Sequence, residues 1–305
     1  MKHSLSRVAL LSATSKFLRV THLNRLSSVA EVGGAVAYLL SPKYRKDAVR
    51  RHQRVALDGS ASTWHVERSV LAAFSNYARY WISLLSTPCL TPLEISLRTR
   101  VVNRDILDRV LGQGSGALVV SPHIGNWDFG AAWFATQGGR VLAVTEELED
   151  VRLKEWFWKD RKAMGIDPIY PGPKATTRIL RALEDNYVVA LVSDRDLLGN
   201  GQEVEFLGQT IKIPTGPAVL SIRSKTPIVP CAIFMSSKSE YTIVFYEPIY
   251  PQKIDGANLK ERIHLITQVV ADAMTLMIQT APSQWLAFVP LNGETEDARQ
   301  GEILL

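Results

Sequence analysis

A histidine and an aspartate stand five positions apart in the stretch SPHIGNWD, residues 121–128. Histidine is the side chain whose ordinary pKa lies near neutrality, so His123 can take the proton of a hydroxyl group as that hydroxyl attacks a carbonyl carbon. A carboxylate on the second ring nitrogen would fix the tautomer that this chemistry needs. The Gly125-Asn126 turn can fold the next helix back toward the imidazole, so Asp128 is a candidate for that carboxylate. The amides at the start of that helix could polarise the carbonyl or bind phosphate.

The spacing of the two residues is weak support by itself, because the chain has six histidines. An Asp or Glu five residues after one of six histidines occurs by chance in about half of sequences of ordinary composition. Here only His123 has such an acidic partner, and only His123 follows an apolar run and enters a Gly-Asn turn. His264 falls within a long helical pattern, and we assign no chemistry to it.

The sequence around His123 has the pattern of an α/β fold. From residue 116 onward, short β-rich runs alternate with amphipathic helical runs, as in a sheet covered by helices. We therefore predict a mixed sheet flanked by helices. His123 would follow the strand in residues 116–122, at the strand end where such folds place functional groups. Long helices are predicted at 66–86 and 259–280.

Residues 1–61 are predicted to form a basic helical segment that faces a membrane. The formal net charge of the chain is +5, yet residues 1–56 alone hold eleven Lys or Arg against two Asp or Glu. Leucines and valines alternate there with Lys16 and Arg19, as in a helix that lies on anionic headgroups. A cationic helix packed on the protein's own core has the same pattern, so both interpretations stay open. Residues 62–305 are predicted to be the catalytic domain.

Several function classes lack the residues that they need. Cys89 and Cys231 show no ligand spacing, so neither a disulfide framework nor a zinc site is predicted, and nothing else implies a metal or another cofactor. No GxSxG motif supports a serine hydrolase, and the glycines of LGQGSG precede a strand instead of following one, as a dinucleotide site requires. No nucleic-acid-binding motif accompanies the basic segment. Neither a signal peptide nor a transmembrane helix is predicted.

The motif HIGNWD at 123–128 resembles the HxxxxD/E signature of glycerolipid acyltransferases, in the longer H-x-G-N-W-D/E form of the bacterial lipid A biosynthesis acyltransferase family. Further blocks match that family in the same order within residues 66–290. They are SNYARYW at 75–81, TEE and WFWKDRKAMG within 145–165, SDRDL at 193–197, VEFLG at 204–208, IPTGPA at 213–218 and the region of Trp285. The resemblance implies a glycerolipid acyltransferase-like fold and transfer of a fatty acyl chain from a thioester to a hydroxyl group.

The resemblance also implies roles for individual residues. His123 would be the catalytic base and Asp128 the acid of the motif, while Arg161 would hold an anionic or polar group of the substrate. In the branch of the family that acylates phosphatidylinositol mannosides, a glutamate stands where SDRDL has Asp194, which is one methylene shorter. Either Asp194 or Asp128 is therefore expected to pair with His123, and the other carboxylate is expected to be mainly structural.

Substrate contacts and substrates follow from the same resemblance. Glu146 and Arg195 are further candidates for substrate binding, with a salt bridge between structural elements as the alternative. The donor would be acyl-CoA, or else acyl carrier protein, and the acceptor a glycolipid hydroxyl. The SDRDL block favours a mannose of phosphatidylinositol mannoside over lipid A. A lipid A type acyltransferase and a catalytically silent lipid-binding protein are the alternatives.

The expected location is the cytoplasmic face of the plasma membrane, where a peripheral protein would meet an anionic membrane surface and no nucleic acid. A fatty chain needs a long apolar groove, and aromatic residues near the motif could line one. Core packing explains these aromatic residues equally well. They are Trp127, Phe129, Trp133, Phe134, Trp156, Phe157 and Trp158.

Overall fold

The alternating elements predicted from the sequence are present in the structure, a computed structural model that describes residues 8–9, 11–15, 17, 26–196, 199–236 and 239–291. From residue 26 onward the α-helices are α1 (Leu26–Leu40), α2 (Lys43–Ala56), α3 (Thr63–Ser86), α4 (Pro92–Leu97), α5 (Arg104–Leu111), α6 (Trp127–Thr136), α7 (Val151–Ala163), α8 (Pro173–Glu184), α9 (Gly216–Ser224) and α10 (Leu259–Thr280). The strands are β1 (Thr99–Val102), β2 (Ala117–Ser121), β3 (Val141–Val144), β4 (Ile166–Ile169), β5 (Val188–Val192), β6 (Gln202–Phe206), β7 (Gln209–Ile213), β8 (Ile228–Met235) and β9 (Tyr241–Phe245). The two long helices predicted from the sequence are α3 and α10.

A seven-stranded sheet with the strand order β1-β9-β8-β2-β5-β3-β4 forms the centre of the fold. Its neighbouring strands are parallel except for the antiparallel pair β8 and β9. β6 and β7 form a separate antiparallel hairpin. Helices cover both faces of the central strands, which explains their continuous apolar sequences, such as VVALV in β5. The predicted fold class, a mixed sheet flanked by helices, is confirmed.

The register between β2 and β5 determines where the predicted motif lies. Ser121, the last residue of β2, pairs with Val192, the last residue of β5. Because these strands are parallel, the chain leaves both of them at the same edge of the sheet. His123 and Asp194 each lie two residues beyond the paired positions. The fold therefore brings them together although 71 residues separate them in sequence.

Helix α1 packs against the long helix α3 through its small residues. A Cβ atom at Gly34 would lie 2.4 Å from the Cα of Ser75 in α3, so the two helices approach this closely only because residue 34 is glycine. Ala30, one turn earlier, is also buried. The outer face of α1 carries large apolar side chains that are 48–80% exposed, namely Val29, Val32, Val36, Leu39 and Leu40.

Only part of the predicted basic amphipathic helix falls within the described residues. Leu11 is 1% exposed and belongs to the core, and the Ser15 hydroxyl donates to the carbonyl of Leu85 in α3. Phe17, in contrast, is 66% exposed. Lys16 and Arg19 lie outside the described residues. In the portion of the chain that the structure describes, no helix combines the length and the apolar character needed to cross a bilayer.

Candidate active site

His123 and Asp194 form a hydrogen-bonded pair just beyond the ends of β2 and β5. Nδ1 of His123 lies 2.5 Å from Oδ1 of Asp194, whose side chain is fully buried. Burial alone would raise the pKa of the Asp194 carboxyl, but the charge of His123 and the hydrogen bond with it hold that pKa below its ordinary value. Asp194 is therefore an anion that accepts the Nδ1–H of His123. In this tautomer Nε2 carries the lone pair that can accept a proton.

Trp285 and Arg195 also contact this pair. The indole Nε1 of Trp285 donates to Oδ2 of Asp194 over 2.7 Å, so both oxygens of the buried carboxylate are hydrogen-bonded. Nη2 of Arg195 lies 3.2 Å from Nε2 of His123. A guanidinium only donates, so this contact fits an Nε2 that accepts. A substrate hydroxyl would have to replace Arg195 at this nitrogen.

The aspartate of the motif belongs to a second hydrogen-bond network. Nε of Arg161 donates to Oδ1 of Asp128 over 2.9 Å, and the Tyr80 hydroxyl donates to Oδ2 over 3.1 Å. Burial would lower the pKa of the Arg161 guanidinium, but the negative charge of Asp128 raises it above its ordinary value. The structure therefore places Asp194 at Nδ1 of His123, whereas Asp128 links the first turn of α6 to α3 and α7. Arg161, which the resemblance assigns to the substrate, has a partner inside the protein.

Removal of Arg161 is expected to destabilise the fold. The Arg161→Met variant leaves the buried carboxylate of Asp128 without its cation, so its free energy of unfolding should fall by about 3–5 kcal/mol. Urea unfolding followed by circular dichroism measures this change. The double variant Arg161→Met/Asp128→Asn removes the buried charge as well and should recover most of the loss. Equal stability of the single and double variants would show that the ion pair does not account for the effect.

The loop between β2 and α6 is held by close backbone contacts. Gly125 has a φ of +60°, and a Cβ atom there would lie 1.7 Å from the carbonyl oxygen of Ile233, so no other residue fits. The amides of Gly125 and Asn126 donate to the carbonyls of Gln284 and Ile233 over 2.9 and 3.1 Å. Oδ1 of Asn126 caps α6 by accepting from the amide of Phe129. These contacts fix the direction in which the loop carries His123 away from the sheet.

A cavity of about 280 Å³ lies beside His123, between the sheet and α6. Its wall consists mainly of apolar and aromatic side chains from β2, β3, β5, β8, β9 and α6. A cavity with such a wall suits a hydrocarbon chain. Five of the six predicted site residues line it, and Asp194 lies behind His123. The five are His123, Asp128, Glu146, Arg161 and Arg195.

The aromatic residues near the motif are divided between the cavity and the core. The cavity wall contains Trp127, Trp133, Phe134, Phe157 and Trp158. Phe129 instead stacks on Tyr241 in the core, with ring centroids 3.5 Å apart. Trp156 packs edge-on against Phe157. The sequence left open whether these aromatic residues line a groove or pack in the core, and each interpretation therefore applies to part of the cluster.

Several residues around the site were not predicted from the sequence. Tyr80, which donates to Asp128, lies within the SNYARYW block, so the resemblance to the family could have identified it. Arg45 of α2 also lines the cavity, but no motif in the sequence identifies it. His52 packs against Trp285 with ring centroids 5.2 Å apart and donates from Nδ1 to a backbone carbonyl. Burial lowers the pKa of His52 to about 4, so this histidine is neutral at pH 7.

Comparison with known proteins shows the family of the chain. The phosphatidylinositol mannoside acyltransferase of Mycolicibacterium smegmatis (strain ATCC 700084 / mc(2)155) is 28% identical over 224 residues, which cover 72% of this chain and 71% of that protein. The protein of the same name from Mycobacterium tuberculosis (strain CDC 1551 / Oshkosh) is 29% identical over 224 residues, or 72% and 68% of the two chains. A sequence model of the family described as bacterial lipid A biosynthesis acyltransferase matches residues 14–291. The protein is thus an acyltransferase, and the chain belongs to the bacterial lipid A biosynthesis acyltransferase family.

Proposed function

We propose that this acyltransferase moves a fatty acyl chain from a thioester donor to a sugar hydroxyl of a glycolipid, with His123 as general base. The observation that carries the proposal is the position of the imidazole. Its Nδ1 is hydrogen-bonded to the buried carboxylate of Asp194, and its ring lines a largely apolar cavity. This arrangement combines a histidine of fixed tautomer with space for a fatty chain.

The proposed reaction proceeds by direct attack on the thioester. Nε2 of His123 accepts the proton of the acceptor hydroxyl while the hydroxyl oxygen bonds to the carbonyl carbon. Asp194 stabilises the imidazolium, and Arg195 together with the amides of Trp127 and Asp128 at the start of α6 stabilises the negative charge on the carbonyl oxygen. The carbon–sulfur bond then breaks, and the departing thiolate takes the proton from Nε2. The products are an ester and a free thiol, and no covalent enzyme intermediate is needed because the thiolate is a good leaving group.

The proposed donor is acyl-CoA. The acyl chain would occupy the part of the cavity between the sheet and α6, where the wall includes Val119, Ala190 and Phe245. The thioester carbonyl would then lie beside His123. Acyl carrier protein presents the same thioester and remains the alternative donor. In either case the thioester is a substrate, and the proposal includes neither a metal nor a bound cofactor.

The proposed acceptor is a mannose hydroxyl of a phosphatidylinositol mannoside. The two mycobacterial relatives carry that substrate in their names, and the SDRDL block contributes Asp194 and Arg195 to the site of this chain. Glu146 lines the same cavity and is the proposed acceptor of hydrogen bonds from sugar hydroxyls. A lipid A precursor is the alternative acceptor. A silent lipid-binding protein is disfavoured because it needs no histidine–carboxylate pair.

We also propose that the protein binds peripherally to the cytoplasmic face of the plasma membrane through the outer face of α1. This face exposes large apolar side chains, including Val32, Val36 and Leu39. Basic residues follow at once in α2, where Lys43 and Arg51 are exposed. Apolar side chains next to positive charges suit an anionic lipid surface. Arg45, two residues after the exposed Lys43, lines the cavity, so the start of α2 joins this basic surface to the site.

Membrane binding should weaken when charge is placed on the outer face of α1. The double variant Val36→Glu/Leu39→Glu removes apolar area from the contact and adds repulsion from anionic lipids, so affinity should fall about 100-fold. Co-sedimentation with phosphatidylglycerol-containing vesicles measures this affinity. Leu276→Glu, at a 55% exposed position of α10, is the matched control and should bind as the wild type does. An equal loss of vesicle affinity in both variants would show that α1 is not the specific membrane contact.

The function itself is tested by incubating the purified protein with palmitoyl-CoA in the presence and absence of a mannosylated phosphoinositide. Free thiol is measured with a chromogenic reagent, and the lipid is analysed by mass spectrometry. Acceptor-dependent thiol release with an acylated mannoside supports the proposal. Activity only with an acyl carrier protein thioester would show that acyl carrier protein is the donor. Activity only with a lipid A precursor would show that lipid A is the acceptor. Lipid binding without thiol release from any donor would favour the silent lipid-binding alternative.

A further inference from the structure

One segment, residues 282–288 (PSQWLAF), holds both members of the His123–Asp194 pair, and we call it the 282–288 strap. The amide of Leu286 donates to the carbonyl of His123 over 2.7 Å. The carbonyl of Gln284 accepts from the amide of Gly125, so the loop is fixed on both sides of Ile124, directly after the histidine. Trp285, which lies between Gln284 and Leu286, donates a hydrogen bond to the side chain of Asp194.

The strap is itself anchored to the rest of the protein. Side-chain amides of Gln53 in α2 and Asn76 in α3 donate to its carbonyls over 3.1 and 2.8 Å. The side chain of Gln284 hydrogen-bonds to both the amide and the carbonyl of Met235 in β8. A segment with this many partners has a defined position. Its contacts with the pair are therefore fixed by the fold.

The side chain of Trp285 contacts the pair directly. Its ring is 1% exposed and packs against His52 and Phe206, with centroids 5.2 and 6.0 Å away. Indole is a hydrogen-bond donor and not an acceptor, so Nε1–H suits the ionised carboxylate of Asp194. The carboxylate of Asp194 is thus held at Oδ1 by His123 and at Oδ2 by Trp285.

We propose that Trp285 is a positioning residue of the acyl transfer reaction, acting through Asp194; this rests on the proposed role of His123 as general base. The indole N–H sets the rotation of the carboxylate so that Oδ1 faces Nδ1 of His123. It also takes up part of the negative charge of Asp194. Without the N–H, the carboxylate is free to turn, and the pair holds its shared proton more strongly.

Trp285→Phe tests this proposal because phenylalanine keeps an aromatic ring in the core but lacks the donor. We expect kcat to fall about 10- to 100-fold, as for loss of one charge-assisted hydrogen bond, with KM for palmitoyl-CoA changed less than about twofold. The acid limb of the pH profile of kcat/KM should move to higher pH. Trp156→Phe, which replaces a tryptophan packed on Phe157, should leave all three quantities unchanged.

A double-variant cycle separates positioning from a general packing defect. If Trp285 acts through Asp194, adding Trp285→Phe to an Asp194→Asn protein should lower kcat no further. If Trp285 only fills the core, the same loss should appear in both backgrounds, and this result would overturn the proposal, as would an unchanged kcat in the single variant. Activity that survives His123→Ala would instead contradict the proposed function. The two failures are therefore distinguishable.

Discussion

Replacement of His123 by alanine is expected to reduce acceptor-dependent acyl transfer by roughly 10³- to 10⁴-fold. The variant retains the cavity and the backbone contact with Leu286, because that contact uses the carbonyl of residue 123. It loses the nitrogen that takes the proton from the acceptor hydroxyl. Binding of palmitoyl-CoA should change little, so the loss should appear in kcat. Thiol release and mass spectrometry of the lipid product measure the effect.

His264→Ala is the matched control for this prediction. His264 lies in α10, is partly exposed and is not part of the described cavity wall. Its replacement should leave the rate unchanged. A His123→Ala protein that still transfers the acyl chain at the wild-type rate would show that another group removes the proton.

Asp194→Asn is expected to lower kcat by roughly 10²- to 10⁴-fold, although the side chain keeps its size. In the wild type the indole N–H of Trp285 donates to Oδ2 of Asp194. It still needs an acceptor in the variant, so the side-chain oxygen of the asparagine must face Trp285. The amide NH₂ must then face Nδ1 of His123, which has to accept instead of donate. This reverses the tautomer and leaves the proton on Nε2, so the imidazole can no longer act as a base. Steady-state kinetics with palmitoyl-CoA and the mannoside acceptor measure the loss.

Two further carboxylates serve as controls for Asp194. Asp108→Asn changes an exposed residue of α5 and should have no effect on kcat. Asp128→Asn breaks the network with Arg161 and Tyr80, so it should lower thermal stability more than it lowers the rate of the folded protein. If Asp128→Asn lost as much activity as Asp194→Asn while keeping its stability, the roles assigned to the two carboxylates would be wrong.

Most of the sheet was predictable because its strands and helices have strong local patterns. The runs that became β2 and α10, predicted at 116–122 and 259–280, are uniformly apolar or clearly amphipathic, and these bounds agree with the structure to within a few residues. β1 was not predicted. It is a four-residue edge strand, TRVV, whose partner β9 lies far along the chain. The β6–β7 hairpin was also missed, since its alternation of polar and apolar residues was interpreted only as family motifs.

The candidate site was only partly predictable for a related reason. The motif identifies His123 locally, but the choice between Asp128 and Asp194 depends on the pairing of β2 with β5, which no local pattern contains. The shorter aspartate reaches Nδ1 of His123 without the additional methylene of a glutamate. Trp285 lies 91 residues beyond Asp194, and its hydrogen bond follows from the path of the strap alone.

The N-terminal segment shows the limit of amphipathic patterns. The sequence cannot distinguish a helix that faces lipid from one that faces the protein, because both bury apolar side chains. Leu11 packs in the core, whereas α1 exposes its apolar face. The Gly34 contact with α3 explains this difference, because the smallest residues of α1 face the protein and the larger ones are left outside. Membrane binding by this face stays a prediction.

The position of the 282–288 strap also determines when the site forms during synthesis. More than half of the chain separates His123 from Leu286, whose amide holds the histidine loop. Contacts that close such long loops form late, because the chain entropy they cost must be offset by structure already in place. A nascent chain with residue 286 still inside the ribosome therefore carries the HIGNWD motif and Asp194 without the contacts that fix the histidine loop and the Asp194 carboxylate. Unfinished chains should accordingly leave cellular thioesters intact until the strap has folded.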